Sequence, residues 1–217
     1  MRRFVPLVRF SHRRLGELLG MRIARLYGVG IAASYGVALA LVPADVRLET
    51  APDLLRRALA ATSWIVAGFS GLSLARDLAV RDRSDGIEML AALRGYDARQ
   101  LELARSVAGA LRIAMWSAAP IVALALLVAA SSGTLRGVLL GASFTGFALV
   151  YAALLGVTVA ALSRAGAGLS PRRGRLVFAA FILLPHAARL VSPSTPSVPA
   201  AFAWLLEQSA ALSGALG

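Results

Sequence analysis

Six apolar runs separated by blocks of arginine constrain this chain more than any other feature. They are Leu26–Val42, Ala58–Ala75, Ile113–Ala130, Val138–Leu162, Leu176–Val191 and Val198–Leu216. Crossing the hydrocarbon core of a bilayer takes about 20 apolar residues, with roughly 17–25 tolerated. Backbone polar groups in lipid must be bonded within the segment, so such runs are helical. The expected fold class is therefore all-α: a polytopic membrane protein with a six-helix transmembrane bundle. The fifth run is short and holds Pro185, His186 and Arg189, and Glu207 interrupts the sixth. Those two also fit a re-entrant pair or one broken hairpin.

Composition agrees. Of the 217 residues, 58% are hydrophobic and 16% are charged, against roughly 45–50% and about 25% in soluble domains. Mean hydropathy is +0.72. The absence of cysteine excludes disulfides, thiolate metal sites and a cysteine nucleophile. The net charge of +12 comes from arginine alone, because the chain has no lysine. Arginine-only, alanine-rich usage suggests a GC-rich bacterial genome.

A pI near 11.6 signals nucleic-acid binding when the basic residues share one face. Here they lie in blocks between apolar runs, which is a pattern of membrane topology, so no nucleic-acid partner is expected. From the N-terminus through the five loops the arginine counts run seven, three, seven, one, four, zero. Positive residues favour the cytoplasmic side. The N-terminus and the second and fourth loops are therefore expected inside. Six spans return the C-terminus to the cytoplasm, giving a multi-pass protein of the bacterial inner membrane. The basic region before the first run is too long for that of a cleaved signal peptide.

Residues 1–25 read as an amphipathic interfacial helix. Val8, Leu15, Leu18 and Leu19 share one face, while Arg9, Arg13, Arg14 and Glu17 lie largely on another. Such a helix sits among headgroups with its arginines toward anionic lipid. It is either purely topogenic or an elbow that passes motion into the first span.

The second loop, 76–112, is rich in both signs of charge. Asp85 with Glu88 three residues later reads as a capping-box pair opening a short helix, Gly86–Arg94, that stops at Gly95. Asp97 with Gln100 starts a second helix that rises into the third span past Arg105 and Arg112. Ile87, Leu90 and Ala91 share one side of the short helix, with Met89 and Leu93 nearby. Apolar residues on a short cytoplasmic helix need a partner surface or the membrane surface.

The stretch Arg81-Asp82-Arg83-Ser84-Asp85-Gly86-Ile87-Glu88-Met89-Leu90, then Leu93-Arg94-Gly95-Tyr96 and Glu102-Leu103-Ala104-Arg105, resembles the type-2 class of ABC transporter permeases. The resemblance covers nearly the whole chain as architecture and about 25 residues as motif. Two departures stand within it: one residue fewer separates Gly86 from Glu88 than is usual, and Arg94-Gly95 replaces a leucine-proline turn. The resemblance implies six spans, an N-terminal amphipathic helix and a cytoplasmic coupling helix between spans two and three. The residues it assigns to partner binding are Asp85, Gly86, Ile87, Glu88, Leu90, Arg94 and Tyr96. It implies a permease subunit of an exporter, working as a homodimer or heterodimer with a separate ABC ATPase subunit that holds the ATP and magnesium. No cofactor is expected in this chain. Within the class, size and the Asp85-Gly86 pair are similar to the haem-handling permease subunit of cytochrome c maturation systems, although His12 and His186 form no haem-ligand set. The remaining alternative is a non-transporting scaffold that binds a cytosolic partner through the same helix.

Polar residues at depth are the other candidates. A central acidic group costs roughly 2.5–3.5 kcal/mol on insertion scales. Glu207, with His186 and Arg189 as partners, is a candidate for the substrate path or gate, or else lies wet at the interface. Small residues recur every fourth position at Gly28, Ala32, Gly36 and Ala40, and again at Ala148, Ala152, Gly156 and Ala160, which permits close helix approach. Pro120 is expected to kink the third span. Residues 166–174 read as a solvated topogenic turn or, alternatively, a second, smaller docking loop.

The motifs that are missing bear on enzyme function. A G-x-x-x-x-G-K-[ST] phosphate loop is impossible without lysine, and no H-E-x-x-H occurs. No serine, histidine and acid set can be assembled in an aqueous site. The chain is expected to be non-catalytic.

Overall fold

Each apolar run becomes a helix, and those of the second, third and fourth runs extend well beyond the run itself. The computed structural model describes residues 4–43, 46–170, 173–189 and 191–214. Its helices are α1 Phe4–Glu17, α2 Leu19–Leu41, α3 Arg47–Leu72, α4 Leu78–Ser84, α5 Ile87–Leu93, α6 Ala98–Ser132, α7 Leu135–Leu169, α8 Gly174–Ala188 and α9 Val198–Gly214. A π-helical turn, Ser73–Asp77, joins α3 to α4 without a break. No strand occurs among the described residues.

Local chemistry sets several of these boundaries. The Asp97–Gln100 capping box forms as the spacing predicts. The Gln100 backbone N–H donates to Asp97 Oδ1 at 2.6 Å, and the Asp97 N–H donates to Gln100 Oε1 at 3.3 Å. Helix α6 then continues through Pro120 to Gly133. The Thr134 hydroxyl accepts from the Gly137 N–H and starts α7.

Among the described residues four helices are long and apolar enough to cross a membrane: α2, the continuous 47–84 helix, α6 and α7. Helices α8 and α9 have 15 and 17 residues. At 1.5 Å per residue their described parts reach about 22 and 25 Å, against a hydrocarbon core of about 30 Å. They form a pair of short elements packed on the long ones. Phe178, 2% exposed, seats α8 against Gly71, where any Cβ would overlap its ring. Phe202 seats α9 edge-on against Tyr151, with ring centroids 5.2 Å apart.

The two-residue link between α6 and α7 makes them antiparallel neighbours. Ala148, Ala152, Gly156 and Ala160 are all buried, and at Gly156 a Cβ would lie 2.4 Å from the Ala110 carbonyl oxygen. This stripe lets the two backbones touch. The stripe on α2 is used only in part: Gly28 is buried and Ala40 is exposed. Helix α2 lies at the periphery, with Leu26, Val29, Val37 and Leu41 turned outward.

The N-terminal segment departs from the single helix expected over 1–25. Leu18 is extended, which separates α1 from α2. Leu15 and Leu18 are buried as expected, but Leu19 is 74% exposed because the break turns it away. Helix α1 packs on α6.

The three largest arginine blocks gather at one end. Arg14 pairs with Asp82, Arg164 with Glu102 and Arg175 with Asp77, while Arg112 donates to the His12 carbonyl at 2.7 Å. The N-terminal segment and the second and fourth loops therefore meet there. At the opposite, arginine-poor end, Leu48 lies against Gly137.

Candidate functional site at the arginine-rich end

The most buried charge among the described residues is Asp82, whose side chain is 3% exposed. Arg14 Nε on α1 donates to Oδ1 at 2.8 Å, and Arg105 Nε on α6 donates to Oδ2 at 2.8 Å. The two guanidiniums are only 14% and 12% exposed. A buried carboxylate is costly unless it is paired and fully hydrogen-bonded. Two guanidiniums meet that requirement and fasten three helices to one atom group.

More charge surrounds this hub. Arg14 also bonds Asp85 at 2.5 Å, Arg81 bonds Glu17 at 2.7 Å, and Arg105 and Arg83 approach Glu88 at 3.5 and 3.7 Å. The Arg14 hydrogen bond holds the Asp85 carboxyl below its ordinary value. Burial alone would lower the Arg14 guanidinium, but its bonds to Asp85 and Asp82 outweigh this and raise it.

Sequence reading missed this hub, although helical spacing carried the signal. Asp82 lies one turn after buried Leu78, so both project inward. Arg14 lies seven residues after buried Leu7 and three after buried Ser11. Arg14 therefore belongs to the inward face rather than to the outer polar face with Arg9 and Arg13.

Helix α5 forms beside the hub, with a different start from the one expected. Its N-cap is Gly86, at φ +66°, and no side chain caps it. Asp85 does not cap the helix, because Arg14 and Arg81 hold its carboxylate. The end follows expectation. Gly95 adopts φ +77°, Tyr96 N–H donates to Ala91 O at 3.0 Å, and Gly95 N–H donates to Ala92 O at 2.9 Å. These two bonds are a Schellman closure, which a left-handed residue permits.

Burial divides the predicted partner residues. Ala91 is buried with Leu7, Leu101 and Ala104, and Tyr96 packs on the same cluster. Ile87 is half-buried, and Glu88 is engaged by Arg105. The outward face consists of Met89, Leu90 and Leu93, exposed at 66%, 48% and 76%, with exposed Arg94 beside them.

The deep-lying candidates are not brought together. Glu207 is exposed on α9 and Arg189 ends α8, and neither makes an ion pair among the described residues. The His186 side chain lies outside the described residues. No group of three metal-ligating side chains occurs among the described residues.

Comparisons with protein-family models, with curated proteins and with solved structures give no match for this chain.

The site is therefore defined by its geometry: a short helix with an apolar outer face, bolted through Asp82 to α1, to the 47–84 helix and to α6. Ion pairs of Glu88 with Arg83 and Arg105, and packing of Ala91, connect α5 to the 47–84 helix and to α6.

Proposed function

We propose that this chain is the transmembrane subunit of an ABC-type exporter, with α5 as the coupling helix that a separate ATPase subunit grips. In this reading the arginine-rich end faces the cytoplasm, in keeping with the bias of positive charge toward that side. Helices α8 and α9 are the fifth and sixth membrane elements, and two permease subunits enclose the path.

The observation that supports the reading is the outward apolar face of Met89, Leu90 and Leu93 on a helix tied to the long helices. Exposed apolar residues grouped on one short helix are a binding feature. The Asp82 ion pairs and the Ala91 cluster link that face to α1, α4 and α6. Closure of the ATPase would thus be transmitted as movement of the long helices.

The test is to purify the full chain from its native membrane and to measure copurification of an ABC ATPase subunit and ATP hydrolysis by the complex. Leu90→Asp and Leu93→Asp should abolish the complex while membrane insertion is unchanged. Glu88→Arg should uncouple hydrolysis from transport, partly by releasing Arg105. A complex that survives both leucine substitutions overturns the reading.

A further inference from the structure

A cavity of about 370 Å³ lies between the π turn, α4, α6 and α7, beside the Asp82 hub. This falls within the roughly 300–1,000 Å³ of small-ligand sites. Its inner wall is apolar, with Leu74, Leu78 and Ala160, and its mouth carries Arg83, Arg105 and Arg164 with Glu88 and Glu102. A groove of about 500 Å³ shares Ser106, Ala160 and Arg164 with the cavity. It continues between α6 and α7 along Val107, Ala110, Val157 and Ala161. A charged mouth therefore opens into an apolar slot.

We propose that this continuous site binds one membrane phospholipid, with its phosphate at Arg83 and Arg164 and an acyl chain along the α6–α7 slot. The two outer arginines are available for this. Arg164 stands 3.4 Å from Glu102 and Arg83 stands 3.7 Å from Glu88, both longer than the roughly 2.7–2.9 Å of a tight charge-assisted bond. All four side chains are substantially exposed, from 42% to 66%. An arginine fork binds phosphate through two parallel bonds, so a phosphodiester outcompetes these loose glutamate contacts. Arg105, held at 2.8 Å by Asp82, supplies fixed positive charge at the base of the mouth.

Depth and charge favour lipid over a second copy of the chain. On α7 the slot spans the end of the apolar run, from Val157 to Arg164, while α6 opposite it still carries its charged first turns, which is headgroup level for a membrane helix. A second copy in the same orientation would bring another arginine-rich end, from a chain of net charge +12, against Arg83 and Arg164. A lipid phosphate brings the opposite charge. This site depends on membrane embedding and is independent of the exporter reading.

The experiment is native mass spectrometry of the full chain in neutral detergent, titrated with phosphatidylglycerol or with diacylglycerol of the same acyl chains. One phosphatidylglycerol should be retained per chain, and diacylglycerol should not. Arg83→Gln with Arg164→Gln should weaken retention about tenfold or more, as expected for lost charge-assisted bonds. Ala161→Phe, an exposed position in the slot, should weaken it without changing the melting temperature. Equal retention of diacylglycerol overturns the proposal, as does wild-type retention by both variants. Displacement by millimolar inorganic phosphate combined with indifference to Ala161→Phe marks a free-anion site and also overturns it. Cross-linking of two chains through position 161 in the lipid-loaded state does the same in favour of a second copy.

Discussion

Asp82 and Arg14 are 68 residues apart in sequence and joined by a 2.8 Å ion pair in the fold. With Arg105 on its other oxygen, Asp82 is the point where α1, α4 and α6 converge. Removing one partner of a buried pair leaves an uncompensated charge, which is more costly than the pair itself is stabilising. Asp82→Asn should therefore cost about 3 kcal/mol, the lower end of the range for breaking buried pairs. The measurement is thermal unfolding in detergent. Arg14→Lys should cost less than Arg14→Gln, since it keeps the charge and loses the fork.

The α6–α7 contact makes a volume prediction. At Gly156 an added Cβ meets the Ala110 carbonyl, a backbone atom that cannot swing aside. Gly156→Leu should destabilise the chain by at least about 1–3 kcal/mol, the usual cost of overpacking. Gly146, on the same helix with nothing within 4 Å, provides the control. Gly146→Leu should leave the melting temperature unchanged.

Acid should loosen α1. Burial, and then the nearby Arg112 charge, hold His12 below its ordinary 6.5. A depressed folded value means that this contribution is complete above about pH 6.5 and is lost as pH falls through the folded value. Asp85, also depressed, acts in the same direction, but only below its unfolded value of 3.8. Protection factors for hydrogen exchange across residues 4–17, taken relative to the intrinsic rate at each pH, should therefore fall as pH drops from about 6.5 to 5. His12→Asn should flatten that response, leaving the Asp85 component below pH 4.

The two acids that flank α5 should behave differently. Asp97→Ala removes a formed cap and should cost about 0.5–2 kcal/mol, read as faster exchange at the start of α6. Asp85→Ala should leave exchange within α5 nearly unchanged and instead loosen α1, because its partner is Arg14. Equal effects on α5 from both substitutions would count against this assignment.

Much of the fold was legible in the chain. Apolar runs of membrane length mark the four long helices, because a backbone in lipid must satisfy itself locally. The Asp97–Gln100 box and the closure at Gly95 could be read because a cap involves residues only a few positions apart. The grouping of arginine blocks was visible as alternation, and the fold realises it as two physical ends.

What sequence alone did not decide was which charges meet. Asp85 and Glu88 have the spacing of a capping box, yet Arg14 and Arg105 reach them from other helices and offer a charged partner in place of a backbone N–H. Asp82 looks like one solvated charge among several until α1 and α6 close over it. The break at Leu18 likewise shows only in the fold, where Leu15 and Leu18 are buried and Leu19 is not. Local periodicity specifies elements because its interactions lie within one or two turns. The pairing of Arg14 with Asp82, and the cavity beside it, arise from contacts between distant segments that exist only once the helices are assembled.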